Sequence, residues 1–246
     1  MKKYKYSECF LSIQGEGKYT GVPSVFLRFW GCNFTCEGFK CDTEYSWHKD
    51  YNHMLKRASA GELMCEIEKL CPAFTETYHL VITGGEPMLS QSAFVEILYL
   101  LEKNGNLPSY VTIETNGTQM PRLAAAESIS DVRELLWSVS PKLSISGENW
   151  INAIQPDVVA AYAEISKCGQ LKYVVDGSAK CWDEVEIATQ AFRDAGVEFP
   201  VWIMPVGATT EQLSQNQEQI CIDTVTRGYN FSPRAHAWIF GDKPGT

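Results

Sequence analysis

The sequence predicts an α/β fold in which six parallel strands curve into a partial (β/α)6-type barrel, built as one domain across residues 1–246. Short runs rich in β-branched and aromatic residues recur at 25–29, 80–83, 110–114, 136–138, 171–175 and 201–204, and each has the length and composition of a buried strand. Segments of helical period lie between them, with apolar side chains at Phe94, Ile97, Leu98 and Leu101 and again at Val185, Ala188, Phe192 and Ala195. Strands joined by crossover helices run parallel, and six such units fall short of the usual eight that close a full barrel. No Ser/Gly/Pro-rich linker or internal repeat divides the chain, and its 45% hydrophobic content supports a single substantial core.

In such folds ligands gather at the C-terminal ends of the strands, so the residues after each strand carry the chemistry. The first strand is followed by Gly31-Cys32-Asn33-Phe34-Thr35-Cys36-Glu37-Gly38-Phe39-Lys40-Cys41-Asp42-Thr43, a C-x3-C-x4-C loop. Three thiolates on one loop hold three irons of a cubane and leave the fourth open to a chelating small molecule. A zinc site is the competing reading, with His48 as fourth ligand, but structural zinc sites pair one close couple of ligands with a second, and no second couple is visible. The second strand runs into Thr83-Gly84-Gly85-Glu86-Pro87. Its paired glycines allow close backbone approach to a ligand, and the Glu86 carboxylate can accept hydrogen bonds from an ammonium. The third strand ends in Glu114-Thr115-Asn116-Gly117 and the fourth in Ser138-Val139-Ser140-Pro141-Lys142. Asn-Gly and Ser-Pro are ordinary turn formers, so each segment alone reads as a turn, whereas four polar strand ends together read as a site.

Bulk properties exclude several classes. Twenty-one basic against thirty acidic residues give a net charge of −9, which repels phosphate backbones and predicts a small-molecule substrate with no direct nucleic-acid contact. The start of the chain is charged and polar, and nowhere do about eighteen apolar residues run together, so no membrane association is expected and the protein reads as cytoplasmic. Nine cysteines at uneven spacings make a poor disulfide framework. Six of them, Cys9, Cys65, Cys71, Cys168, Cys181 and Cys221, are scattered and are expected as small buried apolar residues.

The cysteine loop and the Gly-Gly-Glu-Pro turn resemble the radical S-adenosylmethionine superfamily. Gln14-Gly15-Glu16-Gly17, Arg28, Cys41-Asp42-Thr43, Ser140-Pro141-Lys142 and Ser232-Pro233-Arg234-Ala235-His236 narrow the resemblance to the 7-carboxy-7-deazaguanine synthase family, along most of the chain. One departure stands out. The superfamily usually spaces its ligands C-x3-C-x2-C, whereas residues 37–40 put four between the last two cysteines here.

The resemblance implies a radical SAM core with a [4Fe-4S] cluster on Cys32, Cys36 and Cys41, where S-adenosylmethionine is cleaved to a 5′-deoxyadenosyl radical. The implied substrate is 6-carboxy-5,6,7,8-tetrahydropterin, which gives up hydrogen at C6, contracts its ring and loses ammonia to form 7-carboxy-7-deazaguanine. Ile13, Gln14, Gly15, Glu16, Arg28, Thr83 and His236 are the implied substrate contacts. Phe39, Lys40, Asp42, Gly85, Glu86, Ser140, Pro141 and Lys142 are implied for S-adenosylmethionine, and the Thr43 hydroxyl for Mg²⁺. An electron donor such as a flavodoxin and a homodimer follow from the same likeness. Two other readings share the three cysteines: an activase that installs a glycyl radical on a protein, and a non-catalytic iron–sulfur or zinc protein. Residues 240–246 are expected to fray.

Overall fold

The computed structural model describes residues 2–71, 78–122, 132–241 and 243–245. Its sheet has the linear order β3-β1-β2-β4-β5-β6-β7-β8-β9. The parallel part comprises β2 (Pro23–Phe29), β4 (His79–Gly84), β5 (Tyr110–Thr115), β6 (Glu134–Val139), β7 (Gly169–Val175), β8 (Val201–Pro205) and the short β9 (Asn230–Phe231). The six expected strands are the first six of these. Sequence reading missed β1 (Tyr4–Ile13), which pairs antiparallel with β2, together with β3 (Lys56–Ala58) and β9. β1 interleaves Lys5 and Glu8 with its apolar residues, and strands of three and two residues are too short to show a period.

The α-helices among the described residues are α1 (Ala60–Leu70), α2 (Gln91–Lys103), α3 (Trp150–Ala153), α4 (Pro156–Ile165), α5 (Ala179–Asp194), α6 (Thr210–Thr226) and α7 (Ala235–Phe240). Local chemistry sets where the helices begin. At α1 the Ser59 hydroxyl accepts from Glu62 N while Glu62 accepts from Ser59 N at 2.6 Å, a reciprocal cap, and Thr209 and Gln212 repeat it at α6. None of the helices among the described residues is long and apolar enough to cross a membrane.

Strand alternation divides the sheet into two environments. Val25, Leu27, Phe29, Leu80, Ile82, Val111, Ile113, Trp137, Leu171, Tyr173 and Ile203 belong to the apolar core together with residues of α1, α2, α4 and α5. The intervening positions on the other face include Ser24, Arg28, His79, Thr83, Thr112, Glu114, Ser138, Gln170 and Lys172. The interior of the partial barrel is therefore polar, which suits a hydrogen-bonding ligand better than a purely structural core.

At the N-terminal end of the strands this interior is sealed by its own hydrogen bonds. The His79 ring lies 2.8 Å from Ser24 Oγ and 2.7 Å from Thr112 Oγ1, with the Tyr19 ring tilted over it. Burial pushes the imidazole pKa down to about 4, against a weaker pull upward from Glu134. The folded state thus prefers neutral His79. Its contribution is complete above the unfolded value of 6.5 and is lost as pH falls from there toward 4. That window corresponds to roughly 3 kcal/mol. Thermal unfolding of wild type and His79→Gln between pH 7 and pH 4 should show the wild type losing more stability on acidification. Parallel curves would refute the linkage.

Candidate active site

A cavity of about 230 Å³ opens at the C-terminal ends of the strands. Three walls meet there: the cysteine loop after β2, the rim of the parallel strands, and the two ends of the described chain brought together. The last arises from a zipper between Gln14-Gly15-Glu16-Gly17, just after β1, and the residues leading into α7. Ala235 N donates to Gly15 O at 3.0 Å and Gly17 N donates to the Ser232 hydroxyl at 2.9 Å. Gly15 lies so close beneath the His236 ring that a Cβ there would overlap it. Two motifs more than two hundred residues apart thereby share one wall.

Charge is concentrated on that wall. Glu16 is paired by Lys172 on one oxygen and by Arg234 Nε, at 3.1 Å, on the other, with His236 Nε2 3.9 Å away. Burial pushes the Glu16 carboxyl up, but Lys172, Arg234 and His236 together outweigh it and hold Glu16 well below the usual carboxylate range. Burial alone would lower the Lys172 pKa, yet Glu16 and Glu114 keep it raised. His236 goes the other way: burial lowers its pKa more than neighbouring Glu16 raises it. Arg234 also donates to Asp42 and to the Gly207 carbonyl, so one guanidinium ties the end of the cysteine loop to the loop after β8.

The strand rim supplies acceptors and a second cation. Glu114 accepts from Gln14 Nε2 at 3.0 Å and from the Thr83 hydroxyl at 2.8 Å. Arg28 donates through Nε to Glu8 at 2.7 Å and lies beside the Tyr45 and Phe10 rings. Tyr45 donates to the same Glu8 oxygen at 2.7 Å.

Cys32, Cys36 and Cys41 all line the cavity. Burial pushes the Cys32 and Cys36 thiols up to about 11, so in a metal-free protein both stay protonated and a bound cation is needed to stabilise their thiolates. Cys36 has φ +49°, the one non-glycine residue in the left-handed region among those described, a conformation retained only where the surroundings impose it. Soft thiolates on a wall open to the cavity suit an iron–sulfur cluster with an accessible iron.

A family model described as a 4Fe-4S single cluster domain matches residues 13–151. The 7-carboxy-7-deazaguanine synthase of Halobacterium salinarum is 33% identical, covering 98% of this chain and 91% of the relative. The synthase of Rhodopirellula baltica is 32% identical over 98% of this chain and 88% of its own. The chain belongs to the 7-carboxy-7-deazaguanine synthase family. The crystal structure of QueE from Escherichia coli superposes with a TM-score of 0.66 at 25% identity, covering 95% of both chains. The fold is accordingly that of a radical SAM enzyme.

Most residues singled out by their resemblance to the synthase family come together at this cavity. Ile13, Gln14, Gly15, Glu16, Arg28, Thr83 and His236 line it, as do Phe39, Lys40, Asp42, Thr43, Gly85, Ser140 and Lys142. Glu86 and Pro141 do not line it. Glu86 is buried and its carboxylate is consumed internally, accepting from Met88 N, the Thr115 hydroxyl and Asn116 N at 2.7–2.9 Å. It fixes the turn after β4 against the end of β5. Gly85 brings the backbone to the site instead, packed against Gly31 O and the Cys32 Cβ. Pro141 is buried behind Ser140 and does not line the cavity.

The tail is a second departure: Gly241, Lys243 and Pro244 line the cavity, whereas residues 242 and 246 lie outside those described. Sequence reading also passed over Lys172, Glu114 and Arg234 as single residues. Lys172 carried a signal, a lysine within an otherwise apolar strand, Leu171 to Val175. Of the six scattered cysteines expected to be buried, Cys71 and Cys181 are, whereas Cys9, Cys168 and Cys221 are half-buried and Cys65 is exposed on α1.

Proposed function

We propose that this chain converts 6-carboxy-5,6,7,8-tetrahydropterin into 7-carboxy-7-deazaguanine with loss of ammonia, using S-adenosylmethionine and a [4Fe-4S] cluster held by Cys32, Cys36 and Cys41. When bound, the cluster with S-adenosylmethionine supplies the radical that takes hydrogen from the substrate. The observation that carries the reading is the shared cavity: thiols on one wall and a buried, fully paired set of charges on the other, within reach of one small molecule.

The protein residues bind and orient. Arg28, tethered through Nε, keeps its two terminal nitrogens for the substrate carboxylate, a bidentate match. Gln14, Glu16 and Glu114 offer the amide and carboxylate groups that read the edge of a pterin, with Thr83 and His236 beside them. Lys172 and Arg234 set the orientation of Glu16 in advance, and Glu114 holds Gln14 and Thr83, so little ordering is left for the substrate to drive. Ser140 and Lys142, linked at 3.2 Å, would hold S-adenosylmethionine together with the backbone at Gly85 and residues 39–42. The Thr43 hydroxyl would meet a hydrated Mg²⁺, which needs only a modest protein contribution. A flavodoxin-like electron donor, a homodimeric assembly and a single domain throughout complete the reading.

The test is anaerobic reconstitution with iron and sulfide, followed by reduction in the presence of S-adenosylmethionine and 6-carboxytetrahydropterin. Mass spectrometry should detect 7-carboxy-7-deazaguanine. Formation of 5′-deoxyadenosine without that product would overturn the substrate, and neither product from cluster-loaded protein would overturn the reaction class.

A further inference from the structure

The four residues between Cys36 and Cys41 distinguish this cluster loop from the usual spacing, and the structure gives them a docking surface. Gly38 N donates to Ser146 O at 2.9 Å. A Cβ on Gly38 would overlap the Ile145 carbonyl and the Ser146 and Gly147 backbone, so only glycine permits this approach. Two residues further along, Glu148 Oε1 accepts from Thr35 N and from Cys36 N, both at 2.8 Å. Phe34 and Cys36 pack with Ala153 of α3, with Cys32 and Phe39 alongside, in an apolar cluster separate from the main core.

The receiving turn is itself held from behind. The Ser146 hydroxyl donates to Leu143 O at 2.7 Å and accepts from Glu148 N at 3.2 Å, while Gly147 reverses the chain at φ +82°. Glu184 of α5 accepts from Ser144 N at 2.9 Å and from the Ser144 hydroxyl at 2.5 Å. A continuous set of hydrogen bonds therefore runs from α5 through residues 144–148 to the backbone of Cys36.

We infer that Glu148 is a positioning residue for the cluster: its carboxylate clamps the Thr35 and Cys36 amides, docks the enlarged loop on residues 144–148, and sets a negative charge beside the Cys36 ligand. This rests on the assignment of the three cysteines to the cluster. Two effects follow and are separable. The clamp holds the loop docked on residues 144–148 before iron arrives, and the charge disfavours adding an electron to the cluster, making its reduction potential more negative. The glutamine isostere keeps an oxygen for both amides and removes the charge, whereas alanine removes both.

Three proteins decide the matter: wild type, Glu148→Gln and Glu148→Ala, each compared by hydrogen–deuterium exchange as apoprotein and, after reconstitution, by iron release to a chelator and by redox titration. Alanine should deprotect the Thr35–Cys36 amides and speed iron release roughly 10- to 100-fold, the range seen when outer partners of metal ligands are removed. Glutamine should retain iron nearly as wild type and show a more positive potential. A wild type that takes up no cluster would overturn the cluster assignment and this inference with it. Cluster-loaded wild type and Glu148→Ala with equal exchange and equal iron release would overturn the clamp alone, and an unchanged potential in Glu148→Gln would overturn the electrostatic part.

Discussion

Replacing Cys36 with alanine should leave a folded protein that retains no cluster and yields neither 5′-deoxyadenosine nor 7-carboxy-7-deazaguanine. The fold should survive because Cys36 sits in the small satellite cluster with Phe34 and Ala153, outside the main core. Loss of one sulfur from so small a group costs on the order of 1 kcal/mol. Alanine also keeps the Cβ, so the left-handed backbone at this position is neither relieved nor worsened and the comparison isolates the ligand. Chemistry, by contrast, has no substitute for the third thiolate. With two ligands an iron–sulfur cubane exposes two irons, and the site can no longer present a single open iron to S-adenosylmethionine. Cys65→Ser provides the control, since Cys65 is exposed on α1 and does not line the cavity. Iron analysis, the absorbance of reconstituted protein and product detection check the outcome. Full iron loading in Cys36→Ala would remove Cys36 from the ligand set.

Six of the parallel strands were legible because each is a run of β-branched and aromatic residues bounded by turn formers, and the polar C-terminal ends of several mark the rim of the cavity. The cysteine loop was legible because ligands supplied by one short loop are adjacent in sequence as well as in space. What composition hides is pairing across distance. Arg234 reads as one cation near the end of the chain, and only the sheet order brings it to Glu16, Asp42 and Gly207. Glu86 shows the converse. Its type and motif suggest a ligand contact, yet the turn after β4 points the carboxylate at three donors from its own turn and the neighbouring strand. A carboxylate offers the same acceptors to protein amides as to a ligand, and sequence cannot say which reaches it first. Edge strands β3 and β9 were missed for a simpler reason: two or three residues carry no periodicity.

The same distance-spanning pairing makes Lys172→Met strongly destabilising. Lys172 is nearly fully buried and contacts Glu16, with Glu114 also acting on it. Methionine preserves much of the side-chain volume and removes the charge, leaving Glu16 to Arg234 and a distant His236. Breaking one partner of a buried ion pair costs about 3–5 kcal/mol, and the surviving Arg234 bond places this case toward the lower figure. For a chain of this length each kcal/mol lowers Tm by roughly 2–4 °C, so a fall of roughly 6–12 °C is expected. Glu16→Gln/Lys172→Met should lose less than the two single variants combined, because the double change removes the buried charge that each single change strands. The catalytic consequence is independent of stability. Glu16 released from Lys172 turns within its pocket, and a displacement near 1 Å at a substrate-orienting group lowers kcat/KM on the order of 100-fold. Calorimetry and steady-state kinetics on cluster-loaded protein measure both. A Tm within about 2 °C of wild type, below the shift expected from even 1 kcal/mol, would mean the pair is solvated and the wall is not preorganised by it.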